Sequence, residues 1–195
     1  MRVARLVLSL CSLAILAACS TTPVDLYYHS PATAAAADAH PVVAVGSFTD
    51  QRKHDPNWLG AIRGGYGNPL KTLQTPVPVS EVARKAFMDG ISARGLYAEQ
   101  GTAPYTLKVD VRQFDCNQFV RREAHVDLLL TLTETATGKT VMTEPVKRDV
   151  VNGSLLAFDT GIFASVEDLR AIARQALQDA VDAGLDGAEF KQALR

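Results

Sequence analysis

Two alternating stretches limit the fold more than anything else in the chain. Tyr105, Leu107, Val109 and Val111 alternate with Thr106, Lys108, Asp110 and Arg112; Ala124, Val126, Leu128, Leu130 and Leu132 alternate with Glu123, His125, Asp127, Leu129 and Thr131. Successive side chains of a strand point to opposite faces, so each stretch predicts a strand with one face in a core and the other toward water. Ala136-Thr137-Gly138-Lys139 supplies a hairpin turn after the second stretch. Residues 141–151 return as a third strand, which Pro145 confines to an edge or a bulge.

The remaining elements follow from capping and punctuation. Val42-Val43-Ala44-Val45-Gly46-Ser47-Phe48 is apolar on both parities, as in a strand covered on both faces. Asp50-Gln51-Arg52 turns the chain outward, with Asp50 and Arg52 placed to pair or to cap the adjacent loop. Over 53–78, Asp55-Pro56, Gly64-Gly65, Asn68-Pro69 and Pro76-Val77-Pro78 limit regular structure to short pieces near 59–63 and 70–73. Ser80 reads as the N-cap of a helix through Arg94, with Gly95 as its C′ residue. Ser165 and Asp168 open a second helix, in which Leu169, Ile172, Ala173, Ala176, Leu177 and Ala180 line one face up to Gly184, and a short helix follows over 188–194. This order predicts one α+β two-layer domain over 41–195: an antiparallel sheet, mixed at its edge, of about four strands with two main helices on one face.

Residues 1–18 read as a targeting segment. Arg2 and Arg5 precede an apolar stretch from Leu6 to Ala18, shorter than the roughly 20 residues that span a bilayer but suited to a signal-peptide core. It ends in Leu16-Ala17-Ala18-Cys19, which resembles the lipobox of bacterial lipoproteins. That resemblance implies signal-peptidase recognition of Leu16, Ala17 and Ala18 and lipidation of the Cys19 thiol. The mature chain would carry a diacylglycerol and an N-acyl group such as palmitate on Cys19, and no other cofactor or metal is expected. A plain secretory signal with an incidental cysteine is the alternative. Ser20, rather than an aspartate, after the cysteine resembles the pattern of lipoproteins sent on to the outer membrane, which places the domain on its periplasmic face.

Charge and cysteine usage agree with an anchored periplasmic domain. Loss of Arg2 and Arg5 takes Lys+Arg from 20 to 18 against 21 Asp+Glu, so the mature side chains balance at −3, with no basic footprint for nucleic acid or anionic lipid. Cys116 is the one thiol left beyond the anchor; beside Asp115 it reads as an inert residue at a strand end, with an intermolecular disulfide as the alternative. Residues 19–40, with Thr21-Thr22-Pro23 and an alanine-rich run, read as lipidated N-terminus and flexible tether. Leu26-Tyr27-Tyr28 either belongs to that tether or packs on the domain.

The lipobox and tether come with a first strand ending in Phe48-Thr49-Asp50-Gln51-Arg52 and a helix closing in Ser92-Ala93-Arg94-Gly95-Leu96. A meander with Ala136-Thr137-Gly138-Lys139 and a last helix near Glu189-Phe190-Lys191 complete the pattern. Together these features resemble the YajG-like envelope lipoproteins. The resemblance implies an outer-membrane lipoprotein; the lipobox, the long tether and the Gly/Pro loop over 53–78 point to a module that binds or assembles envelope components without catalysis, with a lipid or small-ligand carrier serving an envelope ABC transporter as the alternative.

The chemistry-bearing residues support no enzyme class. The chain lacks a Gly-x-Ser-x-Gly elbow, a His-Glu-x-x-His pair, a phosphate-binding Walker loop and a Cys-x-x-Cys pair. His125 and Asp127 share a strand face that Asp110 or Lys108 could join, but a solvated sheet face explains them. Asn152-Gly153-Ser154 reads as a turn. Arg63-Gly64-Gly65-Tyr66-Gly67-Asn68 is the candidate loop for an envelope-protein partner, because an exposed aromatic on a long Gly/Pro loop suits a contact. The open sheet face is the other candidate surface.

Overall fold

The computed structural model describes residues 20–29, 39–152 and 165–195. Seven strands form one mixed sheet: β1 (Ser20–Pro23), β2 (Val43–Asp50), β3 (Trp58–Arg63), β4 (Pro69–Gln74), β5 (Tyr105–Gln118), β6 (Arg122–Glu134) and β7 (Thr140–Asn152). The helices are α1 (Val79–Ala93), α2 (Val166–Asp186) and the short α3 (Ala188–Ala193). The sheet runs β1-β4-β3-β5-β6-β7, with β2 also on β5. The expected sheet of about four strands is therefore wrong, because the supposed loop contributes β3 and β4 and the supposed tether contributes β1.

The meander is as the alternation predicts. β5, β6 and β7 are antiparallel neighbours, and β7, with Pro145, is the edge strand. Leu107, Val109 and Val111 of β5 point into the core, but a register shift between Val111 and Gln113 changes the parity, so that Phe114 and Cys116 point inward beyond it. Such a shift leaves one extra residue on the bulged strand and bends it.

The bend lets β5 serve two strands along the edge that β6 leaves free. β2 runs parallel to its first half, from Val43↔Tyr105 to Asp50↔Val111, and β3 runs parallel to its last residues, from Gly60↔Cys116 to Ile62↔Gln118. At Gly60 a Cβ would lie 1.7 Å from the Cys116 carbonyl oxygen, so no other residue fits this approach of the two backbones without displacing one. Arg52 fills the gap between β2 and β3. Its guanidinium donates from Nη1 to the carbonyls of Trp58 (2.8 Å) and Phe114 (3.0 Å), from Nη2 to that of Pro56 (3.0 Å), and grips both carboxylate oxygens of Asp50.

Both long helices cover the same face. Phe87, Ile91, Leu130, Leu132, Leu169 and Leu177 belong to one core, and each such side chain contributes about 1.5–3 kcal/mol on burial. A Cβ at Gly184 would meet Leu130 at 2.6 Å and one at Gly90 would meet Val181 at 2.7 Å, so the space where a carried ligand would sit is filled at these crossings. Helix α1 begins at Val79 after Pro78, with no side-chain cap, one residue ahead of the expected Ser80 cap. The Val79 N–H is satisfied by the Pro56 carbonyl instead. Gly95 adopts φ +69° as the expected C′ residue, and Ser165 accepts from the Asp168 N–H to cap α2. Helix α2 passes Gly184 and ends at Asp186.

The N-terminal stretch is held along its described length. β1 pairs in parallel with β4; beyond it Val24, Leu26 and Tyr28 are buried while Asp25 and Tyr27 are exposed. The Tyr28 hydroxyl donates to Asp182 of α2 (2.6 Å) and accepts from Arg94 beyond α1 (3.1 Å). The His29 backbone N–H and C=O both pair with the Gln178 side chain. Of the two arrangements open for Leu26-Tyr27-Tyr28, packing on the domain is the one observed, and the tether reading fails over 20–29.

Candidate functional site

The strand registers place the candidate loop beside the first residue of β1. Ser20 faces Lys71, Lys71 faces Ile62, Ile62 faces Gln118, Gln118 faces Arg122, and Arg122 faces Asn152. One row therefore crosses the sheet from β1 to β7. Ser20 and Gln118 are separated by three strand spacings, roughly 14 Å. Beyond this row lie the β3–β4 turn and the β5–β6 turn.

The β3–β4 turn is the expected loop 63–68, and it is a tight hairpin. Gly64 N–H donates to Asn68 O (2.9 Å), Gly67 N–H to Gly64 O (2.8 Å), and Arg63 Nη1 to Gly67 O (3.1 Å). Gly67 adopts φ +80°, a region that disfavours side chains. Tyr66 at the tip is fully exposed. The backbone N–H groups at Gly64 and Gly67 are spent inside the turn.

The β5–β6 turn adds residues that sequence reasoning missed. Phe119 is 44% exposed and Val120 47%, and a groove of about 280 Å³ runs along Asn117, Phe119, Val120, Arg121 and Glu123. The signal was an apolar pair standing where a turn between two alternating stretches should be polar. Leu16, Ala17, Ala18 and Cys19 lie outside the described residues, as does most of the Asn152-Gly153-Ser154 turn.

The open face of β5–β7 carries the histidine cluster, with partners other than those expected. His125 Nδ1 lies 2.7 Å from Asp149 and Nε2 3.5 Å from Glu123, and Asp115 faces it across the ladder. Asp127 and Asp110 are not its partners, because register pairs them with Lys147 and Leu129. Burial works against the charged imidazole, but the hydrogen bonds to Asp149 and Glu123 and the charges of Asp115 and Asp149 outweigh it and raise its pKa. The resulting stability is complete below the unfolded imidazole pKa and fades as pH rises through the folded one. Proton NMR is expected to place the His125 pKa above the ordinary 6.5, and Asp149→Asn should lower it; an unmoved pKa would contradict this geometry. Among the described residues no group of three or more His, Cys, Asp or Glu is placed to hold a metal ion.

Cys116 is fully buried, and burial, then the Asp115 charge, pushes its thiol far above the ordinary range. It is inert in the folded chain, which disfavours the intermolecular disulfide. No helix among the described residues is long and apolar enough to cross a membrane.

No protein-family model matches the chain, and no curated protein matches it. Solved structures do. A Xanthomonas campestris protein of the DUF330 family is similar with a TM-score of 0.62 at 15% identity, over 89% of this chain and 98% of that one. A protein described only as uncharacterized is similar at 0.53 and 12% identity, over 86% and 96%. A lipoprotein from Neisseria meningitidis shows a more distant likeness, 0.30 at 10% identity over 71% and 96%. At these identities the first two likenesses establish a shared fold.

Proposed function

We propose that this chain is a lipid-anchored, non-enzymatic binding module on the periplasmic face of the outer membrane. Its open sheet face recruits another envelope protein. The observation that carries this reading is the bare face of β5–β7. Three long strands bury one side under α1 and α2 and leave the other uncovered by any described residue, with Asp110, Asp115, Glu123, Asp127 and Asp149 outnumbering Lys108, Arg112 and Lys147. A partner with a basic surface complements it. The lipobox supplies the anchor, and Ser20 after Cys19 supports the outer membrane as its destination.

Cross-linking in living cells followed by mass spectrometry tests this reading. One reproducible envelope partner is expected, captured by the unaltered chain and lost both on Cys19→Ser and on the double reversal Asp127→Lys with Asp149→Lys. Capture that persists through the charge reversal would refute the open face as the binding surface.

A further inference from the structure

We infer that the sheet end formed by the β3–β4 and β5–β6 turns rests in the headgroup region of the bilayer that holds the anchor. This rests on the lipid-anchored reading and adds to it an orientation and a lipid-contacting surface.

β1 begins at Ser20, hydrogen-bonded into the sheet beside β4, so no free chain separates Cys19 from the folded domain. One residue spans at most about 3.6 Å. The acyl chains of Cys19 must enter the bilayer, and the end of the sheet where Ser20 lies must then lie at its surface.

That end has the composition such a position requires. Tyr66, fully exposed on a rigid hairpin tip, has an apolar ring and a hydroxyl, the amphipathic character that concentrates aromatics at membrane interfaces. Phe119 and Val120 are exposed large apolar residues on the neighbouring turn, where water gains nothing from them. Arg63 on β3 and Lys71 on β4 carry cationic groups on long apolar stems suited to phosphates, Arg63 while donating from Nη1 to Gly67 O, and Arg121 beside Val120 is paired with Glu123. The opposite end of the meander, at Ala136-Thr137-Gly138-Lys139, carries no large apolar residue. With the row of strand ends at the bilayer, the strands rise away from it and the open face of β5–β7 turns sideways into the periplasm, free for the partner proposed above.

The test uses the full chain, matured in cells and reconstituted in vesicles of phosphatidylethanolamine and phosphatidylglycerol. Tyr66→Cys, Val120→Cys and Thr137→Cys each carry an environment-sensitive fluorophore, and buried Cys116 does not compete for it. Mass spectrometry of the same samples establishes acylation at Cys19. Labels at 66 and 120 are expected to shift to the blue and to be quenched several-fold more by nitroxide lipids than the label at 137. In the unlabelled chain, amide exchange over 64–68 is expected to slow on vesicles relative to detergent. Acylated protein whose labels at 66 and 120 behave like that at 137 would overturn the orientation alone. A blue shift without lipid quenching would overturn it in favour of a protein contact. Absence of acylation would overturn the anchored reading and this inference with it.

Discussion

Arg52→Ala is expected to lower the unfolding free energy by about 3–5 kcal/mol, the cost of removing one partner of a buried ion pair, out of a total of about 5–15 kcal/mol for a domain of this kind. The Arg52 side chain is only 3% exposed and makes contacts that no other residue replaces. It binds both carboxylate oxygens of Asp50, and it donates to Phe114 O of β5 between the point where β2 leaves that strand and the point where β3 joins it. Alanine leaves the carbonyls of Trp58, Pro56 and Phe114 without this donor and Asp50 without its counter-charge. Urea unfolding should show the midpoint falling sharply, with Arg52→Lys recovering only a small part because an ammonium cannot form the fork. Burial works against the Asp50 carboxylate, yet Arg52 holds its pKa below the usual range. The stability from this pair is present above the unfolded carboxylate pKa and lost as pH falls through the folded one, and Arg52→Ala should abolish that part of the acid dependence. An unfolding midpoint within experimental error of the unaltered chain would refute the role given to Arg52.

The second large effect concerns location. When residues 1–19 are exchanged for a secretory signal cleaved ahead of Ser20, the protein is expected to move wholly from the membrane to the soluble periplasmic fraction. No helix among the described residues offers a membrane span, and the mature charge balance offers no electrostatic hold on anionic lipid. The acyl chains proposed on Cys19 would supply about 0.8 kcal/mol per buried methylene over several dozen methylenes, far beyond what three exposed side chains at the sheet end can replace. Retention on washed membranes after this exchange would mean that something other than Cys19 holds the domain.

How much of this was legible in the sequence depends on which faces each element buries. β5, β6 and β7 have one wet face, so their alternation shows, and Pro145 marks the edge as physics requires. β3 buries Leu59, Gly60, Ala61 and Ile62 in succession, which erases the period-two signal, and its Gly and Pro neighbours resemble a loop. β1 is four residues of Ser-Thr-Thr-Pro, a composition typical of linkers, and only pairing with β4 makes it a strand. In the segment beyond it the alternation of Val24, Leu26 and Tyr28 was present but short. The Asp50–Arg52 pair was visible in the spacing, while its reach to carbonyls on three other segments depends on tertiary structure. The candidate loop was found from Tyr66 and its glycines, and its place beside Ser20 could be known only from the register. Phe119 and Val120 were missed because the turn between β5 and β6 lacks the Gly, Asn or Pro that usually marks one.

Lipid anchoring of the domain at the residue that adjoins β1 is tested by the intact mass of the protein extracted from membranes. The expected species is a chain that begins at Cys19 and carries a thioether-linked diacylglycerol and an amide-linked acyl group. A chain that retains residues 1–18, or one cut elsewhere with a free thiol at Cys19, would contradict it.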